Sequence, residues 1–361
     1  MKHNRLSQLR EAMASRQIKR VLIADLTNLQ YLTGFTGSSG GAVITPEKAL
    51  FITDFRYVEH VEQEVTGFEL VKVGQDKSLL EAIVELVKKE KIEELWVETD
   101  HLTQDQYQTL SEHLESVYLY SCKELTEELR LIKDADEIQC LREGVGIAQQ
   151  AFLQTLELIR PGVAEREIAY ELEYRMRKLG ASGRAFETIV ASGDRSSLPH
   201  GVSGNRRLQS GDLIVIDWGA TYGGYFCDMT RTLCLGRPSE RQREIYDLVK
   251  SAQKAAFNLL APEVSSASVD KGAREVINSA GLGKYFGHNL GHGVGREVHE
   301  KPHVTSKPGK ETTLKAGMVF TIEPGVYLPS FGGVRIEDMV RLTDDGYEIL
   351  TDQLPEGLIV R

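Results

Sequence analysis

The residues able to do chemistry in this chain are carboxylates that end apolar runs and histidines set among glycines. "LIVIDWG" reads as a buried strand ending on Asp217, and "FCDMTRTLCL" as a second strand carrying Asp228. Gly219, Gly223 and Gly224 lie between them, which predicts a hairpin or tight connection bringing the two aspartates together. "GMVFTIEPG" repeats the pattern: an apolar run ends on Glu323 and Pro324-Gly325 breaks the strand. "GGVRIEDMVRLT" alternates as one strand, with Arg335, Glu337 and Met339 on one face and Val334, Ile336 and Asp338 on the other. Taken singly, Asp217 would cap a strand end and Asp228 would face solvent. Two apolar runs ending on carboxylates fit core packing poorly, because a buried carboxylate needs a compensating charge. A divalent metal supplies one.

"GHNLGHGVGREVHE", residues 287–300, holds His288, His292 and His299. His288 and His292, four apart, would share a helical face in a zinc site of the HExxH kind. Asn289 stands where that motif has glutamate, and Gly287, Gly291, Gly293 and Gly295 oppose a helix. The stretch is therefore expected to be a loop or strand whose backbone approaches a ligand closely. His200 in "SSLPHG" and His303 in "KPHV" carry no signal alone.

Elements must position these groups, and the bulk properties bound them. The chain has 361 residues, 41% hydrophobic and 27% charged, which predicts one large or two medium domains with packed cores. Its net charge of -10 argues against nucleic acid as a partner. No apolar run is long enough to span a membrane, and the charged N-terminus lacks a signal peptide's apolar region. A surface helix there and a cytoplasmic location are expected. Cys122, Cys140, Cys227 and Cys234 read as free thiols, with a Cys227–Cys234 bridge as the alternative.

Strands and helices alternate up to about Tyr120, as in a compact α/β unit. A long helical pattern then runs to Pro161-Gly162, and a second helix to Gly180. Beyond Phe186 the chain is rich in strands and glycines, interrupted by one helical stretch over residues 240–260. Domains over 1–125 and 126–361 are expected.

Asp217, Asp228, His292, Glu323 and Glu337, in the contexts "DWG", "CDMTRT", "GHGVG", "TIEPG" and "VRIED", resemble the metal set of the pita-bread metallopeptidases. "IKDADEI" and "IRPGVAEREIAYELE" are similar to that family's proline-directed branch, which holds prolidase and aminopeptidase P. The resemblance runs from about Ile132 to the end. The first 120 or so residues resemble the N-terminal domain of that branch and of creatinase. It implies an α+β chain: a C-terminal pita-bread catalytic domain preceded by a smaller, creatinase-like α/β domain.

The resemblance also implies two divalent metal ions on those five residues. Manganese suits this hard ligand set, with cobalt or zinc as substitutes. The implied activity is hydrolysis of the Xaa-Pro bond by a hydroxide bridging the metals, on a peptide with proline second. Glu323 would also shuttle a proton. His200 matches a histidine that steadies the intermediate, and His299 one that assists near the scissile carbonyl. His288 matches a residue lining the proline pocket, and Arg335 an arginine near metals and substrate. Arg296 resembles an arginine of some bacterial prolidases. Other short prolidases carry an arginine where this chain has His303. That departure sets an aminopeptidase P acting on longer peptides beside the first expectation, an Xaa-Pro dipeptidase. A non-catalytic pita-bread binding protein is the remote alternative, disfavoured by five intact ligands. Membership also implies a homodimer.

Overall fold

The computed structural model describes residues 2–361, with side chains from Arg5 onward. They form two compact units, one up to Arg130 and one from Leu131.

The first unit is built on a six-stranded sheet. Its order is Glu69–Lys72, Ala49–Thr53, Gly41–Ile44, Val21–Ile23, Glu94–Glu98, Tyr118–Cys122. Val21–Ile23 runs parallel to Glu94–Glu98 and antiparallel to Gly41–Ile44. Successive residues of a strand face opposite sides, so an all-apolar strand needs cover on both. Val21 and Ile23 join Leu9, Met13 and Leu29 on one side, and Leu22 joins Val43, Ile83 and Val87 on the other. The N-terminal helix, Lys2–Ser15, is thus more than a surface helix: Leu9 and Met13, one turn apart, are buried core. Leu125 enters the same core, so the short helix Leu125–Arg130 closes this unit, five residues past the expected boundary of 125.

In the second unit the long helical pattern begins afresh. Asp134 caps a new helix, Ala135–Thr155, and Glu137 returns a bond to the Asp134 amide. That helix packs with Glu165–Lys178 over a core containing Phe152 and Trp218, whose rings stack 4.3 Å apart. A second helical pair, Glu240–Phe257 and Ser266–Ser279, covers a core around Val249, Phe320 and Val340.

Two sheets lie under these pairs. One has the order Ile359–Val360, Met229–Cys234, Leu213–Trp218, Ile189–Ser192. The other has the order Glu300–Val304, Gly291–Gly293, Val319–Ile322, Asp338–Thr343, Gly346–Ile349. A bridge between Thr230 and Glu337 joins them.

The expected single strand through "GGVRIEDMVRLT" is two. Gly332–Arg335 pairs with Gly325–Leu328 in a separate ribbon, and Asp338–Thr343 pairs with Val319–Ile322. The ladder breaks because Glu337 leaves it to bond the Thr230 backbone, its N–H donating to the Thr230 carbonyl at 3.1 Å. All four cysteines are free. Among the described residues no helix is long and apolar enough to cross a membrane.

Candidate active site

Leu213–Trp218 and Met229–Cys234 are antiparallel partners, with Asp217 opposite Thr230. Asp228 immediately precedes the second strand, so the hairpin places both aspartates at one end of the sheet. Glu323 follows Val319–Ile322, and Glu337 fills the gap between Gly332–Arg335 and Asp338–Thr343. His292 sits in Gly291–Gly293. Its glycine neighbours are needed there: a Cβ on Gly291 would lie 1.9 Å from the Thr321 carbonyl oxygen, and one on Gly293 would lie 2.1 Å from that of Lys301. A strand squeezed between two others is what the glycines permit.

These five side chains line one cavity of about 480 Å³, together with His200, His288, His299, His303, Tyr327 and Arg335. Phe186, Ile189, Pro199, Val202 and Val298 form apolar wall. Arg296 is not in the lining. Its guanidinium lies 5.2 Å from the centre of the Tyr225 ring, against the Gly223-Gly224 turn, where a Cβ on Gly224 would meet it at 2.4 Å. The Phe226 amide donates to the Gly295 carbonyl at 2.9 Å and draws the chain beside Arg296 onto that hairpin. Arg296, expected near substrate, thus lies beside the Gly223-Gly224 turn rather than among the residues lining this cavity.

The hydrogen-bonding of the acids is incomplete. Asp217 Oδ2 accepts from Arg335 Nη2 at 2.6 Å, while Asp217 Oδ1 and Asp228 Oδ1 are buried without a partner. Glu337 Oε2 accepts from Thr230 Oγ1 at 2.7 Å. His292 Nδ1 lies 3.1 Å from the Gly293 carbonyl, which accepts only from an N–H. In the neutral ring this leaves the lone pair on Nε2, 3.6 Å from both Asp228 Oδ2 and Glu323 Oε1. A lone pair facing two carboxylates is repulsive unless a cation sits among them. Asp228, His292 and Glu337 each present a donor atom within 4.8 Å of the others'. The residues therefore fit a divalent metal.

Electrostatics agree. Among the described residues the lining holds five carboxylates, the four above and Glu187, against a single guanidinium, that of Arg335. Burial, then the Glu337 charge, pushes the Asp228 and Glu323 carboxyls well above the usual range, and burial with Asp217 pushes Glu337 up. Burial, and then His299, lowers His292 to about 3. His288 is lowered to about 4 by burial and the Arg335 charge. A neutral imidazole is the form that ligates metal.

Two residues of this constellation escaped sequence reading. Thr230 holds Glu337 and accepts from Arg335 Nε at 3.0 Å. It stands two after Asp228 and so on the same strand face, the signal that would have found it. Tyr327 bonds His288 Nε2 at 2.9 Å and accepts from Arg335 Nη1 at 3.0 Å. No pattern in "GVYL" singles it out.

Comparison with known proteins places the chain. Residues 139–344 match the model of metallopeptidase family M24, and residues 5–132 match the creatinase/prolidase N-terminal domain. An Xaa-Pro dipeptidase of Pyrococcus furiosus is 40% identical over 349 residues, 96% of this chain and 97% of that protein. The structure of an Xaa-Pro dipeptidase from Bacillus anthracis superposes with a TM-score of 0.95 at 39% identity, covering 100% of both chains. That of an X-Pro aminopeptidase from Thermotoga maritima MSB8 gives 0.89 at 37%, covering 99% of both. With its acids, histidine and buried unpartnered oxygens gathered in one cavity, this chain belongs to metallopeptidase family M24 and carries that family's creatinase/prolidase type of N-terminal domain.

Proposed function

We propose that the chain is an Xaa-Pro dipeptidase holding two divalent ions, manganese first, on Asp217, Asp228, His292, Glu323 and Glu337. One observation carries this reading: four carboxylates and a neutral histidine converge on one cavity, with buried oxygens left unpartnered. When bound, such ions polarise the scissile carbonyl and lower the pKa of water. The protein's own side chains do the rest. Arg335 fixes Asp217 through Nη2 and is itself held by Tyr327, Thr230 and the Pro199 carbonyl. His200 and His299 line the cavity as donors to the oxygen that gains charge. Proline nitrogen carries no N–H in the peptide and must be protonated to leave. Glu323, between His292 and His288, is placed to carry that proton. Neutral His288, edge-on to Phe286 at 5.0 Å, forms one wall for the proline ring.

A second reading, aminopeptidase P, has its own observation. A dipeptidase must capture a free carboxylate, a task suited to arginine. Arg335 is committed to Asp217 and Arg296 is not in the lining, so His303 is left for that role. Hydrolysis of Ala-Pro and Ala-Pro-Ala, with and without chelator, decides. Metal-dependent cleavage of the dipeptide is expected; cleavage of the tripeptide alone transfers the assignment to aminopeptidase P, and cleavage of neither refutes both. The homodimer implied by the resemblance is tested by mass in solution. A cytoplasmic location, supported by four free thiols, is tested by cell fractionation.

A further inference from the structure

Behind the metal-facing surface lies a buried polar knot that the proposed chemistry does not use. Gln253, on the helix Glu240–Phe257, is 6% exposed. Its Nε2 faces three acceptors, which share its two N–H bonds: Asp338 Oδ2 at 2.9 Å, the Ile322 carbonyl at 3.2 Å and the Ile336 carbonyl at 3.3 Å. Because all three accept, the amide nitrogen is the end that must face them. Ile322 and Ile336 immediately precede Glu323 and Glu337. Asp338 also accepts from Arg231 Nη2 at 2.6 Å and Thr351 Oγ1 at 2.6 Å. Arg231 Nη1 donates to the Glu337 carbonyl at 2.7 Å and the Thr230 carbonyl at 3.0 Å. The peptide groups on both sides of Glu337, and the one before Glu323, are thus clamped from behind. The strand ladder alone does not supply this, because it breaks at Glu337.

We propose that Gln253, with the Arg231–Asp338 pair, is a positioning residue that sets the spacing of Glu323 and Glu337 and so tunes the affinity of the metal site. This rests on the ligand set proposed above. Gln253 never touches metal or substrate; it acts through the two backbones it joins. Partners outside a metal's own ligands commonly change affinity by about 10–100-fold when removed.

The test is Mn2+ titration of the metal-free full chain by calorimetry, with melting recorded separately. Gln253→Met keeps the volume and removes the donors; its Mn2+ affinity is expected to fall at least about tenfold. Val269→Ala, in the same core on the neighbouring helix, is the control for packing loss. It should lower the melting temperature and leave Mn2+ affinity within about twofold, since it removes no partner outside the ligands. Should Gln253→Met not fold, Thr351→Val removes a single bond to Asp338 and is expected to weaken Mn2+ several-fold. Wild-type affinity in the Gln253 or Thr351 variant, or an equal loss in Val269→Ala, overturns the proposal while leaving the ligand set standing. Absence of Mn2+ binding by the wild-type chain overturns the ligand set and this proposal together.

Discussion

Each unit buries an acidic group, and the two are built differently. In the first unit Glu98, 3% exposed, sits at the end of a sheet strand, much as Asp217 does in the second. Burial pushes it up to about 7. Yet its oxygens are fully engaged, by the amides of Ala24 and Asp25 at 2.8 and 3.0 Å and by Asn28 Nδ2 at 2.8 Å. Asn28 is in turn held by Arg130 Nη1 at 2.9 Å. In the second unit Asp217 Oδ1 and Asp228 Oδ1 have no donor, and His292 turns a lone pair toward acids. A raised carboxyl therefore does not mark a metal site. What sets the second unit apart is a pair of buried carboxylate oxygens, on Asp217 and Asp228, for which the fold supplies no partner.

That difference is breakable. The largest effect is expected from Asp228→Ala, which should reduce Ala-Pro hydrolysis to the assay background and abolish tight metal binding by calorimetry. Retained binding would show that Asp228 is not a ligand. Next is Arg335→Lys. Lysine keeps the charge but not the fork that joins Asp217, Tyr327 and Thr230. A fall of about 100-fold in kcat/KM, near the 3 kcal/mol typical of a broken buried pair, is expected from steady-state kinetics. Smaller still is His303→Arg, which should move the Ala-Pro over Ala-Pro-Ala rate ratio about tenfold toward the dipeptide. An unchanged ratio removes His303 from carboxylate recognition.

Legibility followed the same line between local pattern and long-range pairing. Asp217 and Glu323 were readable because a buried strand prints as a continuous apolar run and the acid ends it. His292 was readable as non-helical because four glycines surround it. The break at Glu337 was not, since it depends on Thr230, 107 positions away. Gln253 and Tyr327 were missed for a like reason: each is an ordinary residue of its own element and acts only through contacts across the fold. That Arg296 lies over the Tyr225 ring was not legible either, since its spacing before His299 does not say which distant hairpin it packs on. The buried face of the N-terminal helix, with Leu9 and Met13, was hidden in a sequence dominated by charge.

A prediction on stability rather than activity probes the contrasting acid. The folded pKa of Glu98 is near 7, above its ordinary 4.5. Its contribution to stability is full below about 4.5 and is lost as pH rises through about 7, on the order of 3 kcal/mol. Glu98→Gln should flatten that part of the pH dependence in urea unfolding and leave metal affinity unaltered. A slope that persists in the variant would contradict the account of Glu98, and weakened metal binding would erase the contrast between the two units.

The central claim is that unpartnered acids make the second unit a two-metal Xaa-Pro peptidase site. It is tested most directly by stripping the full chain of metal and titrating Mn2+ while recording ions bound and Ala-Pro cleaved. The prediction is two ions per chain, with activity appearing as they bind and lost on chelation. Cleavage that persists without metal, or saturation with Mn2+ that yields no cleavage of Ala-Pro or Ala-Pro-Ala, would contradict it.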